Sequence, residues 1–347
     1  MDKLKSFRIN VASVVEWLAL MLVISKQSRR VLKEGKWYQR SAEWIYRGQG
    51  DVLWHLESTL QRVLKEDRWQ NELPGSIKNV ESEMIGEFRR SAQEKGLPLF
   101  PDDVDCLACM QHYGMPTRLL DFSGNPLIAL YHALSGAMKK RGRYPRFSLY
   151  ALREDYLLGT QFIANERFVE RTGFRSSEIE HDRQIANWTL GTNRDGNRKP
   201  EMADEKKILC VYPRFANKRS DAQQGLFLMP VKLGGEFEAD IRQSLGLGDE
   251  DRARCVTCSR LREMIETEPA VIDDIVSLRF DFKGGLRSDV VELLSLANIN
   301  HKTMFPDSEG LAKYMKDEVW QVDDFEPREK RIVKPKINLP LENLPER

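Results

Sequence analysis

Short β-rich runs alternate with long amphipathic stretches along this chain, and that alternation limits the fold more than any other feature. The runs EWIYRG, RFSLYALR, KILCVYP, GLFLMPV and VSLRFDF are each alternating or continuously apolar and are bounded by Gly, Pro or charge, as strands with one or both faces buried must be. Helical spacing is clearest from Val11 to Ser25 and through ESEMIGEFRRSAQEKG, PLIALYHALSGAMKK and DVVELLSLANIN. Apolar residues there recur on one helix face. The interleaving predicts a mixed α+β fold. No segment repeats at a spacing of about 20–50 residues, so a solenoid is excluded.

The chain has 347 residues, 41% of them hydrophobic, enough to bury a substantial core. Its 54 basic residues nearly cancel 53 acidic ones, so bulk charge selects no partner. The apolar run VASVVEWLALMLVI is broken by Glu16 and falls short of the roughly 20 residues a spanning helix needs. It predicts a packed helix, no membrane association and, without a secretory cleavage pattern, a cytoplasmic protein. Five cysteines fit reduced thiols. The expected division is an N-terminal helical segment (1–36) packed on a main domain (37–320), then an extended, Pro- and charge-rich tail (321–347). GTNRDGNRKPEMADEKK reads as a surface loop. KKRGRYPR offers basic residues to a nucleic acid or, more plainly, forms a solvated turn.

Three stretches carry a chemical signal. The first is YRGQG, where Arg47 ends an apolar run and is followed by Gly48, Gln49 and Gly50. Glycine permits close backbone approach, and a guanidinium presents a planar fork of donors suited to phosphate or carboxylate. An ion pair with a core carboxylate is the structural alternative.

The second is QHYGMPTRLLDFSGNPLIALYHAL. It reads as a helix end, a turn, a short strand RLLDF and a further helix that starts at Pro126, with Ser123 or Asn125 as its N-cap. His112, Thr117, Arg118, Asp121, Ser123 and Asn125 gather near that helix start, where backbone N–H groups favour anions. Asp121 paired with Arg118 is the structural alternative. The third is NKRSDAQQGLFLMPV, in which Asn217, Arg219, Gln223 and Gln224 precede a strand entered through Gly225. Two C-x-x-C pairs, Cys106/Cys109 and Cys255/Cys258, have zinc-ligand spacing. The first pair lies in an apparent helix where small apolar residues pack equally well, and the pairs are far apart in sequence, so no metal is assigned.

Taken together, YRGQ, QHYGMPTRLLDFSGNPLIALYHA, NKRSDAQQGLF and ANINHKTMFPDSEGLAKYM resemble the FRG domain family, named for its (F/Y)RG motif, over about residues 40–318. The same order of motifs is more remotely similar to the ADP-ribosyltransferase superfamily. That resemblance implies a split β-sheet core flanked by helices and NAD as substrate. Arg47 would hold a pyrophosphate or ribose oxygen, Gly48 would admit the nicotinamide amide and Ser123 would support its subsite. Gln49, His112, Thr117, Arg118, Asn125 and Arg219 complete the implied binding set. Gln223 and Gln224 stand where the superfamily has its catalytic glutamate. Either they position the acceptor, or a carboxylate elsewhere supplies the charge: Asp121, or Glu236 and Glu238 on one face of an extended GGEFEAD. The implied activity is modification of a macromolecular target, protein or nucleic acid, by a toxin or phage-defence effector. The alternatives are a non-catalytic nucleotide- or protein-binding module and a nucleic-acid-acting enzyme.

Overall fold

A computed structural model of the chain describes residues 4–27, 30–33, 36–39, 44–65, 74–97, 99–137, 144–158, 171–191, 207–214, 218–233, 235–248 and 251–315. The tail 321–347, most of GTNRDGNRKPEMADEKK and Asn217 lie outside these residues. The fold is mixed α+β. Ten strands are described: β1 (Lys5–Val11), β2 (Arg30–Lys33), β3 (Lys36–Gln39), β4 (Trp44–Gln49), β5 (Leu120–Ser123), β6 (Phe147–Arg153), β7 (Ile208–Val211), β8 (Gly225–Pro230), β9 (Arg254–Thr257) and β10 (Ile275–Phe282). Eight of them form one sheet in the order β7-β8-β5-β4-β6-β10-β1-β9, while β2 and β3 make a separate hairpin.

The sheet is mixed. β1 runs parallel to both β10 and β9, whereas β6 is antiparallel to β10 and β4, and β8 is antiparallel to β5 and β7. The resemblance implied a split sheet; instead the hydrogen bonding is continuous, but it narrows at one seam. β4 and β6 share six paired positions, and β4 and β5 share only Tyr46 with Ser123. No further pair joins these two strands, and the cleft described below lies at this seam.

Alternation along the strands sends side chains to two faces. Phe7 and Ile9 of β1, Phe147 and Leu149 of β6, and Phe280 and Phe282 of β10 pack against the helices Val14–Gln27, Pro126–Gly136 and Cys258–Thr267. Trp17 meets Phe280 and Phe282 edge-on at 6.4 and 5.7 Å, and Phe147 stacks on Phe282 at 5.0 Å. Ile45, Tyr150, Leu152 and Val276 point the other way, onto the helix Phe237–Ser244. A third cluster joins Leu209, Val211 and Met229 at the β7 end to Ile85, Leu107 and Ile185 from three further helices. Among the described residues, no helix is long and apolar enough to cross a membrane.

Three readings of the sequence are corrected. The N-terminal segment is not helical throughout, because KSFRINV forms β1, an interior strand of the sheet. GGEFEAD is not extended: a helix begins at Phe237 with Glu236 as its N-cap, so Glu236 and Glu238 do not share a strand face. Arg118 does not pair with Asp121. Its Nε donates to Glu81 at 2.9 Å, a second guanidinium nitrogen donates to the other Glu81 oxygen, and Nη1 reaches the carbonyls of Pro230 and Val231 at 3.2 and 3.3 Å. Arg118 is 2% exposed and every arm of its guanidinium is engaged, so it cannot present itself to a ligand.

Candidate functional site

The site is built on β4. Its glycines turn out to face the helix Pro126–Gly136: a Cβ on Gly48 would stand 1.9 Å from the Ala129 carbonyl oxygen and 2.7 Å from the Ala133 nitrogen. A Cβ on Gly50 would lie 2.5 Å from the carbonyl carbon of Gly136. The helix answers with its own small residues, Ala129, Ala133 and Gly136, at helical spacing. Gly48 therefore admits the helix backbone, a packing reason distinct from the ligand approach that the resemblance implied.

Arg47, the residue before Gly48, points to the opposite face of β4 at the seam with β5. Its Nη1 donates to the Asp121 carbonyl at 2.7 Å and lies 3.9 Å from the Asp121 carboxylate. Its Nε is buried with no partner. Burial lowers the Arg47 pKa, Asp121 counters that, and the nearby Arg62 adds to the depression. A guanidinium with a donor left over in a low-dielectric site stabilises a bound anion.

Around Arg47 opens a cleft of about 340 Å³ whose walls come from β4, β5, the helix Pro126–Gly136, the entry to β8 and Phe305. Arg62 and Arg219 also line it, as does Trp54, which is 41% exposed at the rim. The Arg219 guanidinium lies 4.2 Å from the centre of the Phe305 ring. Asp121 is the one acidic side chain lining it among the described residues. Its Oδ1 accepts from Gln111 Nε2 at 2.7 Å, and Gln111 Oε1 in turn accepts from the hydroxyl of Thr117. Thr117 is fully buried and acts through Gln111 rather than facing the cleft.

The structure brings together Arg47, Gly48, Gln49, Asp121, Ser123, Arg219 and Gln223 as lining residues. Gln49 is fixed by its Nε2 bond to the His55 carbonyl at 3.0 Å. Ser123 Oγ donates to the Gln223 carbonyl at 2.8 Å and accepts from Asn125 N–H at 3.1 Å, which ties β5 to the β8 entry. Gln223 Nε2 donates to the Met304 carbonyl at 3.2 Å. His112 lines an adjoining lobe rather than this one.

Others stand apart. Asn125 is the N-cap, accepting from Leu127 N–H at 2.9 Å, and is not a lining residue. Gln224 is exposed in the left-handed region at φ 46°, and its carbonyl accepts from Gly124 N–H at 3.1 Å. Glu238 lies 3.5 Å from His55, and neither Glu236 nor Glu238 reaches the cleft wall. The two C-x-x-C pairs remain separate, with Cys106 and Cys258 buried in different hydrophobic clusters.

Sequence reasoning missed Arg62, Trp54, Phe305 and His132. His132 had a legible signal, because it falls three residues after Ala129 and four before Gly136 on the helix face turned to β4. Burial drives its pKa down to about 4, with Arg47 and Arg219 acting in the same direction and Asp121 opposing, so the imidazole is neutral.

The family model of the FRG domain matches residues 42–142, which take in β4, β5 and the helix packed on Gly48. Among curated proteins and among solved structures, nothing matches.

Proposed function

For a chain that carries an FRG domain over residues 42–142, we propose that the seam cleft binds NAD and that the protein is an ADP-ribosyltransferase-like enzyme modifying a macromolecule. One observation carries this reading. Motifs distant in sequence meet at one cleft in which Arg47 keeps an unpartnered donor and, among the described residues, Asp121 is the only lining carboxylate. Arg47, Arg62 and Arg219 suit a pyrophosphate. Trp54, 41% exposed at the rim, offers a face to a planar ring. Asp121 takes the part expected of the missing glutamate, stabilising positive charge that develops on the ribose. Gln111 and Thr117 hold its carboxylate in place.

The Asp121→Asn variant tests this assignment. Calorimetric titration is expected to give NAD affinity within about threefold of the parent, while transfer from labelled NAD falls by about 100-fold or more, a loss of about 3 kcal/mol in transition-state stabilisation. Absence of NAD binding by the parent chain would overturn the reading. A second reading is a binding module without turnover. The glutamines at 223 and 224, in the place of a catalytic acid, favour it, and it predicts NAD binding with no cleavage in parent or variant.

A further inference from the structure

The cleft around Arg47 does not end at Asp121. A second lobe of about 370 Å³ opens on the other side, and Asp121, Pro213, Arg219, Gln223 and Phe227 line both. We propose that this second lobe seats the acceptor, and that the acceptor presents an uncharged, planar heteroaromatic group of the nucleobase class. The proposal rests on the NAD reading of the first lobe and adds the chemistry of the target.

Four observations converge on that class. First, the lobe has ring walls: Phe100 and Tyr113 both pack on Phe88, at 6.1 and 6.5 Å between centroids, and Phe227 contributes from β8. Stacking between aromatic side chains and a base is worth about 1–3 kcal/mol per base. Second, small residues leave space between those rings, since Ala108 and Cys109 form part of the lining. Third, among the described residues the carboxylates lining the lobe are Asp105 and the shared Asp121. Asp105 is taken by Arg183 Nη2 and by the backbone N–H of Arg214, and Arg219 stands beside Asp121 at the boundary, so a lysine or arginine side chain would find no counter-charge beyond the one carboxylate that Arg47 and Arg219 already flank. Fourth, His112 and Gln223 supply neutral edge groups able to donate or accept, as recognition of a base edge requires. Such a base reaches the lobe from a single strand or by leaving its stack.

Asp121 stands between the lobes, and the transfer balances there. A ring or exocyclic nitrogen of the acceptor forms a bond to ribose C1′ as the bond from C1′ to nicotinamide breaks. The pyridinium takes the bonding pair and leaves as neutral nicotinamide, and the proton lost by the acceptor nitrogen passes to the Asp121 carboxylate.

Titration of the full chain with adenosine, guanosine, cytidine and uridine, each with and without saturating NAD, tests the proposal. Agmatine serves as the cationic control. At least one nucleoside is expected to bind with an affinity that NAD changes by less than about threefold, and agmatine to bind at least tenfold more weakly. Tyr113→Ala, at an exposed position, is expected to weaken nucleoside binding about tenfold while NAD affinity stays within twofold; Ala108→Met, which fills the lobe, is expected to do the same. Displacement of the nucleoside by NAD would overturn the proposal, because the second lobe would then be half of the dinucleotide's own seat. Preference for agmatine, or no nucleoside binding at all, would also overturn it. Failure of NAD to bind while nucleosides still do would strike the first-lobe reading alone.

Discussion

Two arginines sit on either side of the seam, and their surroundings assign them opposite roles. Arg118, just ahead of β5, is fully engaged: Glu81 takes two arms of its guanidinium and the carbonyls of Pro230 and Val231 take the third. Arg47, on β4, makes one bond to a carbonyl, stands 3.9 Å from a carboxylate that is mostly in solvent, and leaves Nε without a partner. A guanidinium whose donors are all matched holds a fold together. One that is incompletely matched and whose side chain, 17% exposed, borders a cleft can meet a guest.

The largest effect should come from breaking the matched arginine. Glu81→Ala leaves a buried guanidinium without its counter-charge, a change that costs about 3–5 kcal/mol. Chemical denaturation is expected to show that loss. The double variant Glu81→Leu with Arg118→Met removes both charges and should recover most of it, since an apolar pair of similar volume is often neutral or better. Equal instability of the single and double variants would show that the carbonyl contacts, not the ion pair, matter most.

Arg47→Ala is the mirror experiment. It removes a bond across the seam and should cost about 1–2 kcal/mol in stability, well below the Glu81 variant. NAD affinity, by contrast, should fall by about 30–100-fold, equivalent to 2–3 kcal/mol. If stability falls as far as in Glu81→Ala while ligand binding is untouched, the contrast between the arginines collapses.

The contrast also marks what was legible in advance. The alternation of strands and helices gave the α+β class, and YRGQG flagged an arginine whose setting is unusual. Proximity in sequence then misled: Arg118 stands three residues from Asp121, yet its partner Glu81 belongs to a helix far upstream. Pairing across elements is set by how helices pack, which no local pattern encodes. Gly48 misled for the same reason, because its need for space arises only once Ala129 and Ala133 are laid across the strand. β1 was obscured by the apolar helix that follows it closely, so two periodicities ran together. GGEFEAD is too short for either period to declare itself, and a capped helix won. His132 could have been found, had the small-residue face of its helix been read as a contact face.

His132 gives the finest test of the comparison, because it reports the field of an arginine that is not neutralised. Burial comes first among the causes that hold its pKa near 4, and Arg47 and Arg219 reinforce it. The unfolded chain would protonate this histidine near pH 6.5, as a free imidazole does. Between about pH 6.5 and 4 the unfolded state thus binds a proton that the folded state refuses, so stability falls as pH is lowered through that window. Above it His132 contributes no pH dependence. The loss reaches on the order of 3 kcal/mol at the acid end. Replacing the imidazole in His132→Phe is expected to flatten this part of the stability profile. Arg47→Ala should narrow the window from its acid side, because removing the nearby positive charge lets the folded protein accept the proton sooner. Substituting Arg118 together with Glu81 should leave the window where it is, since a guanidinium already matched by a carboxylate projects little field into the cleft. If both arginine changes moved the window equally, the distinction between an engaged and an available guanidinium would not hold.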